Sequence, residues 1–95
     1  MLRTPVSERR LEILEWLKDP AAAFPSRRRG ELTEDGVTAD AVAARLGVGR
    51  EVADTHLELL AAIGLVHATR VRRRTYYRRD EMRLAEVARM FEKGW

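Results

Sequence analysis

Apolar residues recur at helical spacing in four stretches of the chain, and β-branched and aromatic residues dominate a fifth. The first helical stretch begins after Ser7, a typical capping residue, and ends at Pro20. Residues 20–36 hold two prolines, two glycines and three consecutive arginines without helical or strand periodicity, which predicts a long loop. Because connections are usually about 4–6 residues long, we expect Phe24 and Leu32 to pack against the core, or the loop to have a role of its own.

Residues 38–63 contain two short helical stretches separated by a tight turn. Thr38 is placed to cap the first, and Gly47 ends it with a backbone that can adopt positive φ. The second begins near Arg50, and the small side chain of Ala43 lies where the two helices would cross. Two short helices joined by a glycine-containing turn are typical of a helix-turn-helix.

Residues 65–79 contain the β-branched and aromatic positions and predict a two-stranded hairpin that turns around three arginines. Asp80 is a good capping residue for a last helix, predicted over residues 80–93. A helix-turn-helix that runs directly into such a hairpin is typical of the winged variety. The predicted fold class is therefore mainly α: a winged helix-turn-helix with a three-helix core, a hairpin wing and a C-terminal helix, in a single domain over residues 1–95.

The composition narrows the possible functions. Ninety-five residues allow a modest core with little room for a catalytic cavity, and no nucleophile and base occur in a recognisable pair, so an enzyme is not expected. The chain has no cysteine, no metal-ligand spacing and no glycine-rich phosphate loop, so neither a metal nor a cofactor is expected. No apolar run approaches the roughly 18 residues of a membrane span, and the N-terminus does not resemble a signal peptide. These features predict a cytoplasmic chain without membrane contact.

The positive charge is concentrated in the predicted wing. The net charge is only +3, but residues 67–79 contain six arginines and no acid, whereas residues 31–66 contain seven acids and two arginines. Arginine suits phosphate oxygens and a narrow minor groove, so the wing is predicted to contact duplex DNA. The predicted DNA contacts on the wing are Arg70, Arg72, Arg73 and Arg74. Arg78 and Arg79 lie further along the second strand. Strand alternation predicts that one of Tyr76 and Tyr77 has its ring in the core.

Three segments resemble the ArsR-like winged helix-turn-helix regulators, over roughly residues 7–92. RRLEILEWL is similar to the family's helix before the motif, VAARLGVGREVADTHLELLAAIGLV to its helix-turn-helix, and RTYYRRDE to its second wing strand and the start of its last helix. The resemblance implies a homodimeric transcriptional repressor that binds a palindromic operator through the third helix and the wing. Metal-sensing members have cysteines at the start of the second helix, where this chain has GVTADAVA, so thiolate metal sensing is excluded. A small-molecule or protein effector is left open.

The third helix is predicted to enter the major groove of duplex DNA. Its predicted DNA contacts are Gly49, Arg50, Thr55 and His56. For His56 the resemblance implies a position near the DNA backbone, and simple packing is an equal alternative. His67, on the first predicted wing strand, is expected to be structural.

Three acids share the outward face of that helix, namely Glu51, Asp54 and Glu58. Carboxylates oppose binding to a polyanion unless they are paired, as Asp54 would be with Arg50 at i, i+4 spacing. A carboxylate can also accept a hydrogen bond from the amino group of cytosine. The three acids therefore either weaken DNA binding without having a role in it, or take part in sequence recognition.

The last helix is predicted to form a dimer interface, because its apolar stripe exceeds what a small core can cover. The interface residues are Leu84, Val87, Met90 and Phe91, with Ala88, Trp95, Leu2, Val6 and some of Leu11, Ile13 and Trp16 adding to the same excess. The alternative is that the stripe closes the core of its own chain. The main rival function is a winged-helix interaction module that has lost sequence-specific DNA binding and uses its acidic third helix to bind a protein.

Overall fold

The computed structural model describes residues 8–25 and 30–92, the last two by their backbone only. The elements found among these residues are α1 (Glu8–Lys18), α2 (Pro20–Ala23), β1 (Leu32–Thr33), β2 (Gly36–Thr38), α3 (Ala39–Leu46), α4 (Arg50–Ala62), β3 (Val66–Val71), β4 (Arg74–Arg79) and α5 (Glu81–Glu92). Ser7, predicted to cap the first helix, lies outside the described residues.

The core lies between α1, α3, α4 and one face of a small sheet. Its largest fully buried side chains are Ile13, Val37, Val42, Leu57 and Leu60. Burial of each such side chain contributes about 1.5–3 kcal/mol to stability. The core therefore holds the helix-turn-helix against both α1 and the sheet.

The turn between α3 and α4 forms as the sequence predicts. The hydroxyl of Thr38 accepts a hydrogen bond from the amide of Ala41 over 3.4 Å, which caps α3. Gly47 ends α3 with φ of 72°, and the amides of Gly47 and Val48 donate back to the carbonyls of Ala44 and Ala43. Ala43 is buried, so the two helices pack closely at this point.

A four-stranded antiparallel sheet, in the order β1-β2-β4-β3, covers the other side of the core. Residues 20–36, predicted as one long loop, also contain α2, β1 and the first residue of β2. Pro20 begins α2, where the first helical position needs no amide hydrogen, and β1 and β2 are too short to show a period. Phe24 is buried and Leu32 half-buried, which confirms that these two residues pack down.

The wing is a hairpin of β3 and β4 in which Val71 pairs with Arg74. Arg72 and Arg73 form the two-residue turn between them, and Arg72 has φ of 58°. This left-handed conformation is strained in a residue with a side chain, and hairpin turns of this length usually use glycine or asparagine. With the wing attached directly to α4 through residues 63–65, the fold is a winged helix-turn-helix, as the sequence predicts.

The last helix, α5, follows β4 with a one-residue break. The carboxylate of Asp80 accepts a hydrogen bond from the amide of Arg83 over 2.9 Å, which confirms Asp80 as the cap. Leu84 and Val87 are half-buried against the core of the same chain. Met82 and Met90 remain exposed.

We expect Gly36→Ala to destabilise the protein by about 3 kcal/mol or more. Gly36 has φ of 120°, and a Cβ atom there would lie 2.1 Å from the carbonyl oxygen of Tyr77. Gly47→Ala is the matched control, because φ is again positive but no atom lies within 4 Å of the added Cβ. That control should lose only about 1 kcal/mol in urea unfolding. Equal losses for the two variants would show that contact with β4 does not explain Gly36.

Candidate nucleic-acid interface

Helix α4 presents a different set of side chains on each of its sides. Ala53, Leu57 and Leu60 face the core and are fully buried. The opposite side of the helix carries Glu51, Thr55 and Glu58, whose spacing places them together there. All three are exposed. The helix therefore offers its outer side to a partner without any rearrangement of the core.

The N-terminus of α4 is open. Gly49 caps the helix in an extended conformation and provides no side-chain hydrogen bond to the first turn. Gly49 is exposed, and a Cβ atom added there would meet nothing within 4 Å. Helix amides that are not capped by a side chain can donate to an anion such as a phosphate.

Arg50, the first residue of α4, lies between two carboxylates. Its Nε lies 3.6 Å from Oδ2 of Asp54, which confirms the predicted i, i+4 pair. Its Nη1 lies 3.6 Å from Oδ2 of Asp40, on α3. Sequence reasoning did not identify Asp40, because an acid in the first turn of a helix is ordinary and the pairing depends on how α3 and α4 cross.

The acids near α4 therefore form two groups. Asp40 and Asp54 are paired with Arg50, whereas Glu51 and Glu58 form no ion pair among the described residues. The hydroxyl of Thr55 donates to the carbonyl of Glu51 over 3.0 Å, so its oxygen is left to accept rather than donate. An acceptor at this position suits an amino group of a base better than a phosphate.

His56 is held between α4 and α1. Arg10 donates from Nη1 to Nδ1 of His56 over 3.0 Å, which requires a neutral ring with its proton on Nε2. Burial lowers the pKa of His56 below its usual 6.5, and the charges of Arg10 and Arg9 lower it further. The ring is thus a packing element without a positive charge for phosphate, although Nε2–H can still donate.

The wing arginines lie on different faces of the sheet, because side chains alternate along each strand. Arg70 lies on the sheet face that turns toward the helices, together with Ala68 and Tyr77. Arg74 and Arg78 lie on the opposite face, and Arg72 and Arg73 are at the turn. All five of these arginines are exposed.

Arg79 differs from the other wing arginines, because its side chain is only 16% exposed. It donates from Nη1 to the carbonyl of Leu14 on α1 over 3.2 Å, and its Nε lies 2.9 Å from Oε1 of Glu81. These contacts tie β4 to α1 and to the start of α5. Arg79 therefore holds the sheet in place and does not extend the cationic surface of the wing.

Both wing tyrosines are buried, on opposite faces of the sheet. Tyr77 packs into the core beside Val37, which confirms that one of the two rings is internal. The hydroxyl of Tyr76 donates to the carbonyl of Gly30 over 2.6 Å. Burial raises the pKa of Tyr77, and the charges of Asp54 and Glu58 raise it further.

Two further expectations concern a structural role for His67 and apolar residues of α1 that add to the dimer interface. His67 is exposed on β3 and has no packing role there. Ile13 is fully buried and Trp16 half-buried, so these residues belong to the chain's own core, whereas Leu11 is 51% exposed. The side chain of Phe91, together with Trp95, Leu2 and Val6, lies outside the described residues, as does the triple arginine of residues 27–29.

Two features that are absent from the described residues bear on the kind of site. No three His, Asp or Glu side chains in residues 8–25 and 30–90 lie close enough together to hold a metal ion. None of the helices described by the structure is long and apolar enough to span a membrane. Among the described residues, the outer side of α4 and the arginine-rich wing are exposed and polar.

A helix-turn-helix with an exposed second helix and a basic wing defines a class of DNA-binding proteins. No family model matches the sequence, and no solved structure matches it. The chain is 33% identical over 82 residues to the HTH-type transcriptional regulator YbzH of Bacillus subtilis (strain 168), covering 86% of this chain and 82% of that protein. The chain belongs to the family of helix-turn-helix transcriptional regulators.

His56 should make the stability of the protein depend on pH in mildly acidic solution. Because its pKa is lowered in the folded state, the unfolded chain binds the proton more readily, and the free energy of unfolding should fall as the pH decreases below 6.5. Urea unfolding of the parent and of His56→Gln across this range measures the effect, which the variant should lack. His67→Gln, altered at an exposed histidine, should keep the parent's pH dependence. An unchanged slope in His56→Gln would contradict the assignment.

Proposed function

We propose that this regulator is an ArsR-like repressor that binds a palindromic operator in duplex DNA as a homodimer. The outer side of α4 enters the major groove and the wing follows the adjacent backbone. The proposed contacts are Gly49, Arg50, Thr55 and His56 on α4, and Arg70, Arg72, Arg73 and Arg74 on the wing.

The observation that carries this proposal is the exposed arginine cluster of the wing, and the open N-terminus of α4 adds to it. Arg72 and Arg73 form the tip of a hairpin that is anchored at its base by Tyr77 and Arg79. A rigid base with a cationic tip suits contact with phosphates or a narrow minor groove. Arg72 adopts a strained, positive φ at a position where glycine would be more stable. A long cationic side chain at this position is therefore explained better by binding than by stability.

The wing and α4 are proposed to contribute differently to binding. Five exposed wing arginines attract any duplex, because phosphate contacts release counterions whatever the sequence. The charge of Arg50 on α4 is opposed by several acids, so this helix adds little general attraction for DNA. Its polar groups instead act on base edges, where hydrogen bonds distinguish one sequence from another.

The dimer is proposed to form through α5 and α1. Met90 is 46% exposed and Leu11 is 51% exposed, and neither is covered by the described part of the chain. Leu84 and Val87 are half-buried, so each retains surface that a second copy can cover. A two-fold axis along these helices would separate two copies of α4 by about one turn of DNA, as a palindromic site requires.

A second candidate function is an interaction module that binds a basic protein. The exposed apolar residues Val52, Leu59 and Ile63 lie along one flank of α4, and Glu51 and Glu58 lie beside them. A basic amphipathic segment would suit both features. The DNA titration below separates the two functions, because this second function does not require the wing.

Binding to duplex DNA of random sequence should weaken steeply with salt. A dimer that neutralises about four to six phosphates gives a log-log slope of about −4 to −5. Replacing Arg72, Arg73 and Arg74 by alanine should flatten this slope and weaken binding to all sequences alike. Fluorescence anisotropy across a salt series measures both quantities.

Single substitutions provide the matched control for that titration. Arg73→Ala and Arg89→Ala each remove one exposed arginine, the first from the wing and the second from α5. Only Arg73→Ala should reduce the slope. If the triple variant binds random DNA as tightly as the parent, the wing is not a DNA contact; if the parent binds no duplex, the interaction module is favoured.

The dimer should dissociate when a charge is placed on the exposed apolar side of α5. Met90→Glu buries a carboxylate in the proposed interface, so sedimentation equilibrium should give a folded monomer of about half the parent's mass. Ala85→Glu, an exposed position on the other side of α5, should remain a dimer. A parent chain that sediments as a monomer at micromolar concentration would exclude this interface.

A further inference from the structure

The guanidinium of Arg50 is held from two helices at once. Asp54, one turn further along α4, lies 3.6 Å from Nε, and Asp40, in the first turn of α3, lies 3.6 Å from Nη1. The side chain of Arg50 is nevertheless 63% exposed. Two carboxylates on different elements therefore restrict its orientation without covering it.

The two ion pairs leave part of the guanidinium available. At 3.6 Å both contacts are ion pairs without a hydrogen bond, and neither involves Nη2, so N–H groups of the guanidinium remain able to donate. Two parallel N–H groups of an arginine match the O6 and N7 acceptors of guanine in the major groove. Arg50 is the first residue of α4, at the end of a recognition helix that contacts base edges.

We propose that Asp40 is a positioning residue which, together with Asp54, orients Arg50 to recognise a guanine in each half of the operator. This inference rests on the proposed function, since it assigns a base to the same α4 surface. Arg50 is the residue that touches the base, and Asp40 acts through it. The assignment gives the two paired acids a role that Glu51 and Glu58 do not share.

The electrostatics of the site make this role measurable. An exposed ion pair is weak in water, so the pairs do little for stability. A carboxylate near DNA lowers affinity for every sequence, and an exposed pairing with Arg50 offsets only part of that repulsion. Asp40 should therefore reduce general affinity while increasing discrimination, whereas Glu58 should only reduce general affinity.

The experiment begins with the parent protein and a library of duplexes randomised at the binding site. The parent should enrich a two-fold symmetric site with a guanine in each half, and replacing that guanine should weaken binding about tenfold or more. Arg50→Lys, which keeps the charge but loses the planar fork, should remove most of this discrimination.

Asp40→Asn should lower the discrimination at that guanine by about two- to fivefold and bind random DNA more tightly than the parent. Asp54→Asn should change both quantities in the same direction. Glu58→Gln, the matched control, should also bind random DNA more tightly but keep the parent's discrimination. Equal thermal midpoints of the variants and the parent show that these differences do not come from unfolding.

A double-mutant cycle tests whether Asp40 acts through Arg50. In the Arg50→Lys background, Asp40→Asn should have no further effect on discrimination, because no oriented fork remains. Additive effects of the two substitutions would overturn the positioning role. Discrimination that is unchanged in Asp40→Asn alone would also overturn it.

The parent's own behaviour separates this inference from the proposed function. A parent that binds no duplex DNA defeats the proposed function and this inference with it. A parent that selects a symmetric site whose bases do not respond to Arg50→Lys defeats only the guanine assignment.

Discussion

The close crossing of α3 and α4 determines the position of the residues that α4 contributes to the candidate interface. Ala43 and Ala53 are both buried, and Gly47 adopts the left-handed conformation that ends α3 before the turn into α4. This arrangement exposes the outer side of α4 and brings Asp40 within reach of Arg50. A larger side chain at either alanine would separate the helices and move both features, since packed interiors tolerate added volume poorly.

The sheet extends the same constraint to the wing. Strand β4 lies between β2 and β3, so Tyr77 contacts both Val37 of β2 and the helical core. Arg79 joins the end of β4 to α1 through the carbonyl of Leu14. The far half of the hairpin carries the exposed Arg72, Arg73 and Arg74. The wing therefore has a fixed base and an accessible cationic tip.

The two halves of the candidate interface have opposite electrostatic character. The exposed charges of the wing are basic, whereas α4 and the first turn of α3 together have four acids and one arginine, and two of those acids are paired with it. Under our proposal the attraction to phosphate and the discrimination between bases are thus assigned to different elements. The acidic charge of α4 is unfavourable for a helix that binds any DNA. It is compatible with a helix that discriminates between base sequences.

Local signals in the sequence predicted most of the fold. Thr38, Gly47 and Asp80 mark helix ends through contacts within a few residues, and the structure has all three. The pairing of β2 with β4 joins residues about forty positions apart in the sequence. The residues around 32–38 therefore contain no local signal that predicts those strands. The same limit applied to the site. The i, i+4 pair of Arg50 and Asp54 was predicted, but the contact of Arg50 with Asp40 and the burial of Arg79 depend on tertiary packing.

The most direct test of the account is an NMR titration of the ¹⁵N-labelled protein with a short DNA duplex at low salt. Our account predicts that amide shifts change most between Gly49 and Glu58 and between Arg70 and Arg74, while Glu12 and Glu15 on the outer side of α1 stay unchanged. Changes confined to α1 and α5, or no changes at all, would contradict the proposal that α4 and the wing bind DNA.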